Sequence, residues 1–209
     1  MTIDANTAHR PGEHRSFLFV LGSSRPDGNT GILARAAAEA LPPGAEQRWV
    51  DLGALALPDF QDGRHEKGER IGGEVEDELR QATLAATDIV LASPLYWYTV
   101  SAHTKRYLDY WSGWLGVPGL DFKARMAGRT LWGVTAMSDR QEAAADGLVT
   151  TLTHSAAYMG MRFGGVLFGN GSKPGDVRQD TAALERARTF LAGEAPLARF
   201  SYERVPAAA

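Results

Sequence analysis

Residues 22 to 30 read Gly22-Ser23-Ser24-Arg25-Pro26-Asp27-Gly28-Asn29-Thr30, a run dense in hydroxyls, amides and glycine with a single arginine. It is flanked by the wholly apolar Phe17-Leu18-Phe19-Val20-Leu21 and by the Ala-rich stretch Ile32 to Leu41. A buried strand that ends in such a loop and opens a helix is suited to hold an anion. The first N–H groups of the helix have no partner, the positive end of its dipole points the same way, and Ser, Thr, Asn and Arg add donors. The ligand this design calls for is a phosphate. The sequence has no Gly-x-x-x-x-Gly-Lys-Ser/Thr, so the lysine of a nucleoside-triphosphate loop is missing. Gly22, Gly28 and Gly31 do not have the spacing of a dinucleotide fingerprint. A hydroxyl-and-amide cradle with one arginine suits a monophosphate such as that of FMN. The bland alternative is a strand-to-helix turn with a Pro26-Asp27-Gly28 bend and an Asn29 or Thr30 cap. It accounts for the proline, the glycine and one cap, but not for Ser23, Ser24, Arg25, Asn29 and Thr30 together.

The second unusual segment is Ser93-Pro94-Leu95-Tyr96-Trp97-Tyr98-Thr99-Val100-Ser101-Ala102. Three consecutive aromatics in a loop cannot all turn into the core. Flat side chains beside Pro94 can flank a planar heterocycle while backbone N–H groups meet its polar edge. An aromatic plug over the sheet or a subunit contact is the plainer reading. His103 stands just beyond and could protonate an acceptor, or be a solvated histidine in the first turn of a helix. His65 and His154 are isolated, with no metal-ligand spacing around them.

The elements that must position these loops alternate strand and helix. Gln47 to Leu52 alternates polar and apolar as an edge strand does, and Gly53 to Gly73 is a long polar excursion. Glu74–Ala86 reads as a helix and Asp88–Ala92 as a second fully buried strand. Ser101–Trp114 is helical, Thr130–Ala136 a strand, Glu142–Met159 a helix, Phe163–Phe168 a strand and Asp176–Ala192 a closing helix. Five strands with interleaved helices make a doubly wound parallel sheet, and the polar second strand at an edge favours the order 2-1-3-4-5. Ligands of such sheets bind where the order reverses, beyond the C-terminal ends of the first and third strands. Both unusual loops follow those strands.

Together these two motifs, with Lys105 and Asp109 following, resemble the flavodoxin-like NAD(P)H-dependent FMN reductases over about residues 16 to 170. The resemblance implies a flavodoxin-like three-layer α/β/α fold. It implies that Ser23, Arg25, Asn29 and Thr30, with Ser24 beside them, hold the FMN phosphate. Pro94, Leu95, Tyr96, Trp97 and Tyr98 would meet the isoalloxazine, and Thr135, Ala136, Met137 and Ser138 would line its other side. Hydride would pass from NAD(P)H by way of FMN to a quinone, flavin, azo compound or similar small acceptor. No dedicated acid or base is then demanded of the protein. A flavodoxin-type electron carrier and a flavin-free binding module of the same fold are the alternatives. Relatives that carry a cysteine cluster in the excursion are excluded, because this chain has no cysteine.

The 209 residues carry a net charge of −3, which gives no electrostatic case for nucleic acid or an anionic membrane. No apolar run approaches a membrane span, and Met1 to Arg15 has no apolar signal core, so a cytoplasmic protein is expected. Residues 1–15 read as a flexible arm, 16–194 as the FMN-binding domain and 195–209 as a tail. Tyr107, Tyr110, Trp111 and Trp114 stand at i, i+3, i+4 and i+7, an aromatic face that could pack on the sheet or be shared with a second subunit. The resemblance also points to a homodimer or homotetramer. Gly169-Asn170-Gly171-Ser172-Lys173-Pro174-Gly175, a near miss to a dinucleotide loop, reads as a turn.

Overall fold

The computed structural model describes residues 15–63 and 73–203. The arm before residue 15, the excursion from 64 to 72 with His65, and the last residues of the tail lie outside them. The chain runs β1 (Ser16–Leu21), α1 (Asn29–Glu39), β2 (Glu46–Asp51), α2 (Gly73–Ala85), β3 (Asp88–Ala92), α3 (Ala102–Leu115), α4 (Phe122–Met126), β4 (Thr130–Met137), α5 (Asp146–Tyr158), β5 (Arg162–Asn170) and α6 (Thr181–Phe190). The five strands form one sheet in the order β2-β1-β3-β4-β5, and every pairing is parallel.

The sheet has this form because the central strands have two apolar faces. Successive β1 residues point to opposite sides. Leu18 and Val20 join Tyr107, Trp111, Trp114 and Leu148 in one core. Phe17 and Phe19 join Leu33, Ala37, Trp132 and Ala183 in the other. α2, α3, α4 and α5 therefore cover one face, and α1 and α6 the other. β2 has no fully buried residue, as an edge strand should. Beyond β5 the tail adds an antiparallel bridge between Arg162 and Leu197, with Ala198 N–H donating to Met161 O at 3.0 Å.

The aromatic face of α3 is a correction. Tyr107, Tyr110, Trp111 and Trp114 are all buried within this chain and offer no face to a second subunit. α4, which the sequence pattern does not announce, brings Phe122 edge-on to Trp111 and Trp114, with ring centroids 5.9 and 5.3 Å apart. Three of the four polar tips are satisfied inside, and Trp111 Nε1 is buried without a hydrogen-bond partner among the described residues. Trp114 Nε1 donates to Glu76 Oε1 at 2.8 Å, Tyr107 Oη and Thr83 Oγ1 are hydrogen-bonded at 2.7 Å, and Tyr110 Oη donates to Pro58 O at 3.1 Å. Burial pushes the Tyr107 phenol well above its ordinary pKa, against the pull of Thr83. The described part of the excursion is held by its own chain. Arg106 donates to Leu57 O at 3.0 Å and pairs with Asp59 at 2.9 Å.

Helix starts also shift. α1 begins at Asn29, so Asn29 and Thr30 are in its first turn and Gly28 is the N-cap. The stretches expected as single helices from 142 and 176 open instead as short 3-10 turns, Glu142–Ala145 and Asp176–Gln179.

Candidate functional site

Three loops gather beyond the C-terminal strand ends, and short hydrogen bonds lock them together. Gly22 N–H donates to Ala92 O at 2.9 Å, which ties the end of β1 to the end of β3. A Cβ on Gly22 would lie 1.9 Å from Thr104 Oγ1, so only glycine lets α3 start this close. Ser101, the N-cap of α3, accepts from Thr104 N–H at 3.2 Å and donates to Gly22 O at 2.6 Å. Ser93 Oγ accepts from Ser101 N–H at 2.9 Å, which closes the loop after β3 upon itself.

Within the cradle Ser23 is half-buried, and Ser24 and Arg25 are exposed. Arg25 N–H donates to Ser23 Oγ at 3.1 Å, and Gly28 N–H turns back to Arg25 O at 3.3 Å. No side chain caps α1 and no acid stands in its first turn, so the positive end of the helix is left for something else. Asn29 and Thr30 have other partners. Asn29 Nδ2 donates to Lys173 O at 2.9 Å, and its Oδ1 accepts from Val177 N–H at 3.3 Å. Thr30 Oγ1, buried, accepts from Ala136 N–H at 3.2 Å.

After β3, Pro94 is buried and Leu95 half-buried. Tyr96 and Thr99 then exchange N–H···O bonds of 3.2 Å in both directions, around Trp97 at φ 49° and Tyr98 at φ 66°. This is a two-residue turn of type I′, whose central pair is ordinarily Asn-Gly. Two large aromatics held at positive φ are strained. They are also solvent-facing, with Trp97 92% and Tyr98 66% exposed. The turn leans on α5, where a Cβ on Gly147 would stand 2.5 Å from Tyr98 O. At the end of β4, Thr135, Ala136 and Met137 are buried and Ser138 is exposed. Thr135 Oγ1 and His103 Nδ1 are buried without a hydrogen-bond partner among the described residues.

All three loops named from the sequence thus meet at one end of the sheet. Sequence reading missed Asn170, at the end of β5, whose amide reaches the loop after β4. It also missed Gly147. The signal for Asn170 was the Gly-Asn-Gly run itself, read as a plain turn.

A doubly wound parallel sheet of this order is the flavodoxin-like α/β class. The family profile of NADPH-dependent FMN reductases matches residues 16–169, and the chain belongs to that family. It is an FMN-using NAD(P)H oxidoreductase. A Bacillus subtilis protein described as an NAD(P)H-dependent FMN-containing oxidoreductase, YwqN, is 29% identical over 172 residues, covering 81% of this chain and 93% of the relative. The solved Trp repressor binding protein of Bacillus subtilis is similar at 26% identity and TM-score 0.67, over 84% of this chain and 97% of that one. An FMN-dependent NADH-azoreductase of Bacillus anthracis, solved with FMN, shares the fold at 15% identity and TM-score 0.61, over 85% and 100%. No described helix is long and apolar enough to cross a membrane. No described group of His, Asp and Glu could hold a metal ion.

Proposed function

We propose that this protein transfers hydride from NAD(P)H to a small planar acceptor, a quinone, flavin or azo compound, with FMN held across the three loops. The carrying observation is a pairing at one end of the sheet: the uncapped, acid-free start of α1 beside the strained and exposed Trp97-Tyr98 turn. FMN, when bound, would supply the redox chemistry of hydride transfer between the nicotinamide and the acceptor.

The chain's part is binding, orientation and exclusion of water. Ser23, Ser24 and Arg25 would donate to the phosphate beside the N–H groups of Asn29, Thr30 and Gly31, with the helix dipole adding to the same attraction. Gly28 lets the cradle fold tightly on itself, since a Cβ there would press on Ser23 Oγ at 2.9 Å. Pro94 and Leu95 form an apolar floor, and Trp97 and Tyr98 a flat wall against which a planar acceptor can stack. Thr135 Oγ1, which has no partner of its own, is suited to a polar edge of the flavin ring. His103, in the first turn of α3 with a buried and unpaired Nδ1, would be the candidate to exchange a proton with the acceptor. The same reading takes the working unit as a homodimer or homotetramer, with a second copy closing the open side at Trp97.

The test is direct. The apoprotein should bind added FMN, and the yellow complex should oxidise NADH or NADPH when a quinone, free flavin or azo dye is supplied. A protein that binds FMN yet passes no electrons from either nicotinamide to any of them is a carrier, and the reductase reading ends. Sedimentation at micromolar concentration examines the oligomer separately.

A further inference from the structure

The run Gly169-Asn170-Gly171-Ser172-Lys173-Pro174-Gly175 does more than turn the chain. Asn170 sits at the last position of β5, and its Nδ2 points at three carbonyls of the neighbouring loop: Met137 O at 3.2 Å, Ser138 O at 3.0 Å and Asp139 O at 3.1 Å. Ser138 and Asp139 lie beyond the end of β4, where carbonyls have no ladder partner, and one side-chain amide serves them together with Met137 O at the strand's last position. Asn170 is itself held from behind. Its N–H donates to Asp180 Oδ2 at 2.8 Å, while Asp180 Oδ1 caps α6 by accepting from Ala183 N–H at 3.0 Å. Gly171 N–H adds a bond to Met137 O at 2.9 Å.

On its other side the same loop holds the cradle. Asn29, first residue of α1, inserts its amide between Lys173 O and Val177 N–H. Asp176 Oδ2 accepts from Lys173 N–H at 2.7 Å and Ser172 N–H at 3.2 Å, which fixes the peptide that Asn29 meets. Gly171 makes the insertion possible, because a Cβ there would stand 2.7 Å from Asn29 Nδ2. The Thr30–Ala136 bond is a second tie between the two sides.

We propose that Asn29 and Asn170 are positioning residues that fasten the phosphate cradle and the loop after β4 to one buttress, residues 170–180. The phosphate end and the ring end of FMN then meet surfaces that cannot shift independently. The proposal rests on the FMN reading above, and both side chains act through backbone segments rather than on the cofactor.

Riboflavin, which lacks the phosphate, separates the two ends. Apoprotein variants are titrated with FMN and with riboflavin by fluorescence quenching, and the visible spectrum of the bound flavin is recorded. Asn170→Ala should weaken both flavins by about tenfold and shift the bound spectrum, because its loop lies at the ring end. Asn29→Ala should weaken FMN by about tenfold and riboflavin far less. The double variant should lose less than the product of the two, since both work on one frame. If Asn170→Ala does not fold, Gly171→Ala carries the test. It should mimic Asn29→Ala in FMN affinity and add little on top of it, since the shortest contact it creates, 2.7 Å, is with that amide, with Val177 N at 3.0 Å beside it. Wild-type affinity and spectrum in Asn170→Ala, or independent losses in the double variant, would overturn the proposal. Failure of the unaltered protein to bind either flavin would remove the FMN reading first, and this proposal with it.

Discussion

The two ends of the sheet are built on opposite terms. At the N-terminal end Asp88 is buried but surrounded by donors: Arg15 through Nε at 3.1 Å and again through Nη2, Thr87 Oγ1 at 2.7 Å and Trp132 Nε1 at 2.9 Å. Arg15 also donates to Leu191 O at 2.7 Å, and its guanidinium lies 4.5 Å over the Phe17 ring. Nearby, Arg129 closes the end of α2 by donating to Leu84 O at 2.7 Å and to Ala86 O. At the C-terminal end α1 has no cap, Arg25 is exposed, Thr135 and His103 keep buried atoms unpaired, and a strained turn lifts two aromatics into solvent. Polar groups at the first end are satisfied by the protein, and those at the second are arranged for something the protein does not itself contain. A buried charge without partners is costly, so the first end can be conserved in energy only by completing its own network. The second carries its strain at Trp97 and Tyr98, the kind of outlier that collects at ligand sites.

Substitutions at the two ends should therefore separate stability from binding. The largest effect is expected from Asp88→Ala, which strands Arg15 and the Trp132 N–H. It should lose about 3–5 kcal/mol in chemical denaturation. FMN affinity of the fraction that remains folded should be unchanged. A variant of near wild-type stability would show that the network contributes nothing net. Next, Arg25→Ala removes an exposed charge whose guanidinium makes no hydrogen bond or ion pair among the described residues. It should leave the thermal midpoint in place and weaken FMN roughly tenfold to a hundredfold, with riboflavin unaffected. An equal loss for both flavins would place the arginine elsewhere than at the phosphate.

The smallest changes sharpen the contrast most. Tyr98→Gly relieves a positive φ and should raise stability by about 1 kcal/mol while lowering turnover with a planar acceptor. Trp97→Ala, at a side chain 92% exposed, should move stability by no more than about 0.5 kcal/mol and change the acceptor KM or kcat. Unfolding curves beside steady-state kinetics decide both. A large loss of stability in Trp97→Ala with unchanged kinetics would make the turn structural.

Much of this was legible in the chain. Runs such as Phe17–Leu21 and Ile89–Leu91 have no polar face, so they had to lie inside a sheet covered on both sides. The polar β2 could only be an edge. The cradle was visible because its composition exceeds what a turn requires. The aromatic face of α3 misled for a physical reason: the spacing shows that four large rings share one side but not what lies opposite. α4 is only Phe122–Met126, too short to leave a periodic signal, yet its Phe122 completes the packing.

Composition and periodicity along the chain were enough for the alternation of elements and for the strand order, through the polarity of each strand, and they singled out two loops of unusual make-up. These depend on local composition and on periods of two and of 3.6, which a chain carries in full. Only the tertiary structure decided where each polar side chain spends its hydrogen bonds. Asn29 was legible as a donor, and it was equally able to face a phosphate or the carbonyl of Lys173, 144 positions away. Asn170 was legible as a turn residue, and its three acceptors lie on a loop more than thirty positions earlier. Hydrogen bonds of this kind are short-ranged in space and unconstrained along the chain. They come into being only once parallel strands have brought distant loop ends side by side.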